Sequence, residues 1–227
     1  MSAVDHLYLL TSGRYMAPAA VLDLTYGLEW RPRLWRPTLT WLLGDLQRFR
    51  GKRILELGCR RGRMSCFFAS LGAQCDGVDV DGEALEIAAA ESARWGLTQR
   101  TCFLKVNPDL TDLPKGVYDF VFTKSVLVMM GNLGHSLARI APLLKSDGEY
   151  LAAENQAAGV LVSVYRRLTW QQRSPRLADS FAGIDKSSIG QFKKYFKTIE
   201  TRPHLGLVVG IRARQPIVLN NCDDLPF

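Results

Sequence analysis

Residues 53–81 follow the pattern of a strand, a glycine-containing turn, a helix and a second strand. The apolar run Arg53–Leu57 ends at Gly58, a helical pattern follows over Met64–Leu71, and a second apolar run covers Cys75–Val80. A helix that connects two short apolar strands is typical of a βαβ unit, in which the strands are parallel. This segment therefore predicts an α/β fold.

The same alternation continues through the middle of the chain. The patterns predict a helix over about 31–49, a helix over Glu83–Trp95, strands over Cys102–Val106 and Tyr118–Thr123, a helix over about Leu133–Leu144, a turn at Lys145–Gly148 and a strand over Tyr150–Ala153. Strands that alternate with helices favour a parallel sheet with helices on both faces. The fold class is therefore predicted to be a Rossmann-like doubly wound sheet.

The last third of the chain does not continue this alternation of strands and helices. Ser187 and Ser188 are candidates to cap a helix that runs to about Phe196. Two apolar runs follow, Thr198–Arg202 and Leu207–Arg212. Because few residues separate them, they predict an antiparallel hairpin. The expected sheet has about seven strands and is mostly parallel, with this hairpin at its C-terminal end.

The pattern divides the chain into a lead-in and one domain. Residues 1–49 are expected to form a helical lead-in, and residues 50–215 the α/β domain. The interval 156–185 reads as an insert after the fifth strand, and 216–227 as a tail. The content of 47% hydrophobic and 22% charged residues is ordinary for a globular protein.

Composition also limits location and redox chemistry. The sequence lacks a run of 18 apolar residues, and its first residues do not resemble a signal peptide, so a cytoplasmic protein without a membrane span is expected. The chain has 5 cysteines and no CxxC pair. A disulfide framework or a zinc site is therefore not expected, and four of the five cysteines read as core residues.

The net charge of +7 is unevenly distributed, because basic residues concentrate in 31–63 and 166–214. One interpretation is that both segments form solvated faces. The other is that they flank a site for an acidic ligand, such as a phosphate, a carboxylate or a nucleic acid.

The turn after the first strand has the composition of a ligand-binding loop. Gly58 and Gly62 would allow the backbone to approach a ligand, and the helix that follows presents free N–H groups. Asp79, at the end of the second strand, could accept both hydroxyls of a ribose. A dinucleotide site is disfavoured because Arg60 and Arg63 replace two glycines of the G-x-G-x-x-G pattern. Glu56 instead suits a ligand that carries an ammonium group.

Residues 56–62, Glu-Leu-Gly-Cys-Arg-Arg-Gly, resemble the E/D-x-G-x-G-x-G loop of class I S-adenosylmethionine-dependent methyltransferases. The resemblance extends over about residues 50–155 and agrees with the terminal hairpin. It implies S-adenosylmethionine as the cofactor, with Asp79 on the ribose and Asp109 on the adenine amino group. The cofactor-binding residues that it implies are Glu56, Gly58, Cys59, Arg60, Gly62, Asp79, Val80, Asp109, Leu110 and Lys124.

The sequence departs from the family pattern at two places. Arg60 replaces the middle glycine of the loop, where its side chain either packs outward or contacts the methionine end of the cofactor. Val128 and Met129 occupy the positions of a Glu-His pair that many relatives carry, so a base at that position is absent.

Acceptor-side residues are expected at the carboxyl ends of the fourth and fifth strands and in the segments that cover them. The candidates for substrate binding are Tyr26, Trp30, Ser125, Asn155, Tyr165 and Arg166. In the family the lead-in often forms a lid, and the insert forms the acceptor wall. Glu154 and His135 are the candidate catalytic bases. The alternative role of Glu154 is that of a structural carboxylate bound to local amides, and the alternative for His135 is a position on a helix surface.

Three functions remain open from the sequence. The favoured one is methylation of a small-molecule acceptor at oxygen or nitrogen, with an anionic compound, a sugar or a natural product as the acceptor. The second is a methyltransferase fold that no longer methylates and acts as a cyclase or a binding partner. An RNA methyltransferase is disfavoured because the sequence lacks an N-P-P-Y-type loop and an appended RNA-binding module. No metal is expected in the site.

Overall fold

The structure, a computed structural model, describes residues 31–157 and 183–217. Four of the predicted acceptor-side residues lie outside these ranges: Tyr26, Trp30, Tyr165 and Arg166. The division into lead-in, insert and tail also falls largely outside them and stays a prediction. No helix within the described ranges is long and apolar enough to cross a membrane.

Helices and strands alternate along the described chain. The helices are α1 (Arg31–Leu43), α2 (Arg63–Ser70), α3 (Gly82–Arg94), α4 (Leu133–Ile140) and α5 (Lys186–Tyr195). The strands are β1 (Arg53–Leu57), β2 (Gln74–Asp79), β3 (Thr101–Lys105), β4 (Tyr118–Lys124), β5 (Leu144–Asn155), β6 (Phe196–His204) and β7 (Val208–Pro216). Short 3₁₀ segments cover Leu46–Phe49, Leu127–Met129 and Ala141–Leu143.

These strands form one seven-stranded sheet in the order β3-β2-β1-β4-β5-β7-β6. Strands β1 to β5 pair in parallel, whereas β7 is antiparallel to both β5 and β6. The predicted fold class is confirmed. The strand order reverses between β1 and β4, and ligands of such sheets bind at the carboxyl ends of the strands beside this reversal.

The hairpin between β6 and β7 lies at that same edge of the sheet. Val208 pairs with Asn155 at the end of β5 and with His204 at the end of β6. The N–H of Gln156 donates to the carbonyl of Leu207 over 2.9 Å. The hairpin end therefore lies beside the carboxyl ends of the parallel strands.

The two faces of the sheet are covered by different helices. On one face α1 and α2 pack on the strands, and the Phe68 ring lies edge-on to Phe49 at 5.0 Å and to Phe122 at 5.4 Å between ring centroids. On the other face Tyr150 stacks with Phe192 at 6.3 Å. Since side chains alternate along a strand, the first face also carries Glu56 and Lys124, and the second carries Thr123 and Glu154.

The structure corrects the cap that the sequence predicted for α5. Asp185, and not Ser187 or Ser188, is the N-cap, and its Oδ1 accepts the N–H of Ser188 over 2.8 Å. The Ser188 hydroxyl completes the capping box, since it accepts the Asp185 N–H over 3.1 Å. An aspartate is favoured over serine here because its charge also interacts with the helix dipole.

The boundaries between α4 and β5 also differ from the prediction. Helix α4 ends at Ile140 and continues into the 3₁₀ segment Ala141–Leu143, because Pro142 has no N–H to extend the α-helical hydrogen bonds. The turn expected at Lys145–Gly148 is an irregularity inside β5, because Leu144 pairs with Tyr118 and the register then shifts. Strand β5 therefore starts earlier than expected.

Cysteine burial matches the prediction at three positions and contradicts it at one. Cys59, Cys66 and Cys75 are buried free thiols, as expected for core residues. Cys102 is exposed because β3 is the edge strand of the sheet, where one side of the strand lacks a neighbour.

Candidate active site

The loop between β1 and α2 requires glycine at two positions. Gly58 and Gly62 both have a φ of 67°, which is the left-handed region. A Cβ on Gly58 would lie 2.6 Å from Cγ2 of Val126. A Cβ on Gly62 would lie 2.6 Å from the Phe103 ring and 2.7 Å from Cβ of Ala88. Backbone conformation and packing both exclude a side chain at these positions.

The arginine at the middle position of the loop points to solvent. Arg60 has a φ of 48°, and its side chain is exposed. The loop is held by its backbone, since the N–H of Cys59 donates to the carbonyl of Val78 over 3.0 Å. The outward orientation agrees with the first of the two interpretations, and a contact between Arg60 and a ligand stays a prediction.

Asp79 connects this loop to the end of β2. Its Oδ2 accepts the N–H of Arg60 over 2.8 Å, and its Oδ1 accepts the N–H of Asp81 over 3.0 Å. Each carboxylate oxygen has two lone pairs, so each can accept a further hydrogen bond. The carboxylate is partly exposed and can therefore reach a ligand hydroxyl.

Glu56 is buried beneath the loop, with an exposed fraction of 6%. The Ser65 hydroxyl donates to Oε2 of Glu56 over 2.5 Å, which ties the end of β1 to the first turn of α2. Burial raises the pKa of Glu56 to about 7, against the opposing effect of the Ser65 hydrogen bonds. The carboxyl group is therefore partly protonated at neutral pH.

The predicted adenine-side residues differ in exposure. Val80 is 55% exposed and offers an apolar surface next to Asp79, whereas Leu110 is 7% exposed. Asp109 forms an ion pair with Arg139 at 2.6 Å between Oδ1 and Nη2. Leu110 has a φ of 55°, which marks a tight turn after β3. Their role in binding adenine stays a prediction.

Lys124, the last residue of β4, contacts the first helix. Its Nζ lies 4.6 Å from the centre of the Trp35 ring, and Trp35 is 6% exposed. The positive charge of Lys124 lowers the pKa of both Glu56 and Glu154, although burial outweighs it in each case. The ammonium group therefore lies within electrostatic range of two buried carboxyl groups.

Two of the predicted acceptor-side residues are adjacent. The side-chain Nδ2 of Asn155 donates to the Ser125 hydroxyl over 3.2 Å. The N–H of Ser125 donates to the carbonyl of Ala153 over 2.9 Å, and Ser125 has a φ of 56°. The structure therefore places this polar pair at the carboxyl ends of β4 and β5.

The two candidate bases lie in very different surroundings. Glu154 is fully buried, and its Oε1 accepts the N–H of Val126 over 3.2 Å. This is the local amide contact that the alternative interpretation of Glu154 required. His135 lies in the first turn of α4, where its N–H donates to Oδ1 of Asn132 over 3.1 Å, and its side chain is exposed.

Sequence reasoning missed three residues that shape the site: Trp35, Ser65 and Val126. The sequence predicted Trp35 only as a packing residue, although it also contacts Lys124. Ser65 carried a usable signal, since it lies three residues after Gly62 in the first turn of α2. Val126 carried none, because its contact with Gly58 joins distant parts of the chain.

The described residues do not bring three or more His, Cys, Asp or Glu side chains together in a way that could hold a metal ion. The polar groups at the carboxyl edge include carboxylates, the Lys124 ammonium group, the Ser125 hydroxyl, and side-chain and backbone amides. This set suits an organic ligand with hydroxyl and charged groups.

Comparison with known proteins agrees with this geometry. Residues 55–150 match the family model described as a methyltransferase domain. The matched segment, which is less than half of the chain, is similar to a methyltransferase domain. The match begins inside β1 and ends inside β5, so the matched segment includes the glycine loop, Asp79 and the end of β4.

Curated relatives match part of the chain. A ubiquinone biosynthesis O-methyltransferase from Burkholderia lata is 35% identical over 98 residues, which are 43% of this chain and 42% of that protein. A protein of the same description from Burkholderia thailandensis is 33% identical over 98 residues, with the same coverage of both chains. The matching region spans less than half the length of these relatives.

Solved structures share the fold over a longer part of the chain. A SAM-dependent methyltransferase from Aquifex aeolicus superposes with a TM-score of 0.57 at 15% identity and covers 88% of this chain and 99% of its own. A SAM-dependent methyltransferase from Methanosarcina mazei gives 0.57 at 17% identity, covering 73% of this chain and 93% of its own. At these identities the likeness concerns the fold.

Proposed function

We propose that this chain is an S-adenosylmethionine-dependent methyltransferase that methylates a small-molecule acceptor at oxygen or nitrogen. One observation carries the proposal: the carboxylate of Asp79 is fixed beside the glycine loop by the Arg60 N–H at 2.8 Å. That arrangement presents acceptor lone pairs to a ribose where the strand order of the sheet reverses.

The loop and its neighbours fit this cofactor. Asp79 accepts the ribose hydroxyls, and the exposed Val80 packs on the adenine ring. Lys124 pairs with a carboxylate, either on the amino-acid part of the cofactor or on the acceptor. The other proposed cofactor-binding residues are Glu56, Gly58, Cys59, Arg60, Gly62, Asp109 and Leu110.

The bound cofactor supplies a methyl group on a positively charged sulfur, which is already activated for transfer. Held by the glycine loop and Asp79, the cofactor would supply this methyl group to the acceptor atom and leave as S-adenosylhomocysteine, and any proton on the acceptor atom would pass to a base or to solvent. The protein contributes mainly by holding the acceptor in line and by excluding water. A base is needed only for a weakly nucleophilic acceptor such as a sugar hydroxyl.

The acceptor is proposed to bind over the Ser125–Asn155 pair, with Tyr26, Trp30, Tyr165 and Arg166 as further contacts. An anionic acceptor is supported by Lys124, whose ammonium group reaches the carboxyl edge. A small organic acceptor is supported by the curated relatives, which are named as ubiquinone biosynthesis O-methyltransferases. Glu154 and His135 are the proposed bases. The side chain of Glu154 also accepts the Val126 N–H, and the backbone N–H of His135 donates to Asn132.

Calorimetry with S-adenosylhomocysteine tests the cofactor site directly. We expect the wild type to bind it and Asp79→Ala to lose at least about tenfold in affinity, because hydrogen bonds to a charged group are lost. Asp147→Ala is the control, since this aspartate is exposed and lies in the irregular part of β5. No heat with folded wild type, or no effect of Asp79→Ala, would overturn the proposal.

Transfer itself is tested with methyl-labelled cofactor and a metabolite extract. Label in a small organic product supports the proposal. Cofactor binding without any labelled product would favour a fold that has lost methyl transfer, such as a cyclase or a binding partner. Salt-resistant labelling of one RNA sequence would favour the RNA methyltransferase alternative, because weak RNA binding in dilute salt is common to basic surfaces.

A further inference from the structure

Glu154 occupies an unfavourable position for a carboxyl group. Its side chain is fully buried, at the end of β5. Oε1 accepts the N–H of Val126 over 3.2 Å, whereas Oε2 has no hydrogen-bond partner among the described residues. A buried polar atom without a partner destabilises the folded state. A neutral side chain of the same size would avoid most of this penalty, so stability alone does not account for a glutamate here.

The groups that face Glu154 do not neutralise it. Thr123 on β4 and Tyr150 on β5 lie on the same face of the sheet as Glu154, with their hydroxyls 2.8 Å apart, whereas the charge of Lys124 acts from the other face. On β7 the paired residue is Val209, which carries no charge. Burial raises the pKa of Glu154 to about 7, and the Lys124 charge only partly opposes it.

The contact that Glu154 makes lies at the turn after β4. Ser125 is in the left-handed region, with a φ of 56°. Val126 is the N-cap of the short 3₁₀ segment Leu127–Met129, and that segment has no side-chain cap of its own. The Glu154 carboxylate therefore takes the place of a cap, and its pKa is lowered by the Thr123 hydroxyl, by the N–H groups of Val126 and Leu127 and by the Lys124 charge.

The same turn packs against the glycine loop. Cγ2 of Val126 fills the space beside Gly58, where a Cβ would lie only 2.6 Å away. A displacement of Val126 would therefore release the loop that holds Asp79 in place through the N–H of Arg60. Glu154 is thus connected to the loop through Val126, whose N–H it binds and whose Cγ2 packs beside Gly58. It lies on the face of the sheet opposite to Glu56.

We propose that Glu154 is a positioning residue for the cofactor: its carboxylate fixes the Ser125–Leu127 turn against Gly58 and thereby sets the affinity of the glycine loop for its ligand. This inference rests on the proposed function, since the ligand is S-adenosylmethionine or its product. It assigns Glu154 a role in cofactor affinity that does not require proton transfer from the acceptor.

Protonation should weaken this contact. An ionised carboxylate accepts backbone N–H groups more strongly than a neutral carboxylic acid does. Below the pKa of Glu154 the turn is held less tightly, and affinity for the cofactor falls. A purely structural glutamate would not make ligand affinity follow its own titration.

The test measures the affinity for S-adenosylhomocysteine by calorimetry at pH 6 and pH 8. This ligand has a neutral sulfur, so a change in sulfonium attraction does not contribute. The wild type is expected to bind at least about threefold more weakly at pH 6, because Glu154 titrates near pH 7, and Glu56, whose pKa is also about 7, adds a contribution that every Glu154 variant retains. In Glu154→Gln the ratio between the two pH values should move toward one, since the amide accepts the Val126 N–H but does not titrate.

Two further variants separate the proposal from general damage. Glu154→Leu should lose about tenfold or more in affinity at both pH values, as a hydrogen bond to a charged group disappears. Glu149→Gln is the matched control, because Glu149 lies on the same strand, is buried, and pairs with Arg214 at 3.2 Å near the other end of the sheet. It should keep the pH ratio of the wild type.

The outcomes distinguish this inference from the proposed function. If the wild type does not bind S-adenosylhomocysteine, the proposed function fails. If the wild type binds and Glu154→Gln keeps the full pH ratio, the positioning role of Glu154 fails while the cofactor site stands. If Glu154→Leu does not fold, the pH ratios of Glu154→Gln and Glu149→Gln still show whether Glu154 sets the affinity for the cofactor.

Discussion

Val126 occupies the space into which a side chain at position 58 would extend, with its Cγ2 2.6 Å from the position of a Cβ on Gly58. The two residues belong to turns that follow neighbouring strands, β1 and β4, at the point where the strand order reverses. The turn after β4 therefore determines how closely the glycine loop can approach the sheet.

Gly58→Ala is expected to destabilise the fold and to weaken cofactor binding. The left-handed backbone costs a non-glycine residue about 1–2 kcal/mol, and the overlap with Val126 adds about 1–3 kcal/mol. Gly51→Ala is the control, because Gly51 has a φ of 69° but no atom within 4 Å of its Cβ position. Urea denaturation should show the larger loss for Gly58→Ala.

The double variant Gly58→Ala with Val126→Ala isolates the contact. Removing the Val126 methyl groups should restore part of the free energy of unfolding, because only the backbone penalty then remains. If the two substitutions are simply additive, the overlap between Gly58 and Val126 does not limit the loop.

Arg60→Gly should leave cofactor affinity within about threefold of the wild type while relieving up to about 1 kcal/mol of backbone strain. The side chain is exposed, and the hydrogen bond to Asp79 comes from the backbone N–H, which glycine retains. Calorimetry with S-adenosylhomocysteine checks this. A loss of tenfold or more would instead mean that the guanidinium contacts the ligand, the other interpretation of this position.

The sheet could be predicted from the sequence because its signals are local. The apolar run over Arg53–Leu57 matches β1 residue for residue, and the short gap between the last two runs correctly predicted an antiparallel hairpin. Each of these features depends on residues that are close in sequence. The family motif likewise predicted that the glycine loop and Asp79 follow neighbouring strands, and their contact with a ligand stays a prediction.

Contacts between distant parts of the chain could not be predicted in this way. The periodicity of α1 shows that Trp35 is buried, but not that its ring lies under the Lys124 ammonium group. Likewise, the shift in register between β4 and β5 depends on how Leu144 meets Tyr118. Such contacts follow from tertiary packing, which the sequence does not display locally.

Lys124→Met should discriminate between a cofactor carboxylate and an acceptor anion as the partner of this lysine. S-adenosylhomocysteine carries the amino-acid part of the cofactor, whereas 5′-methylthioadenosine lacks it. If Lys124 binds that carboxylate, the variant should lose about tenfold in affinity for the first ligand and little for the second, since a charge-assisted hydrogen bond disappears. Calorimetry with both ligands measures the difference.

A matched control and a neighbouring variant complete this comparison. Lys115→Met removes an exposed lysine in the loop before β4, away from the carboxyl edge of the sheet, and should leave both affinities unchanged. Trp35→Leu should weaken the first ligand less than Lys124→Met does, because it removes the aromatic support but keeps the charge. Equal losses of affinity for both ligands in Lys124→Met would show that the lysine does not bind the amino-acid carboxylate.

The stability of the protein is expected to fall as the pH rises through neutrality, and Glu56 contributes to this fall. Burial raises the pKa of Glu56 from 4.5 to about 7 in the folded state. Between these values the folded state binds more protons than the unfolded state, so its stability relative to the unfolded chain decreases with increasing pH. The contribution is fully present below about pH 4.5 and is lost as the pH passes about 7.

Glu56→Gln removes this titration and should therefore flatten the pH dependence. The full effect of one such group is of the order of 3 kcal/mol, since each pKa unit corresponds to about 1.4 kcal/mol. Urea denaturation at pH 5.5 and pH 8.5 should show a smaller difference in Glu56→Gln than in the wild type, whereas Asp147→Asn, an exposed acid, should not change it. An unchanged difference in Glu56→Gln would mean that the Ser65 hydroxyl, which donates to Oε2 of Glu56 over 2.5 Å, compensates the burial of the charged form.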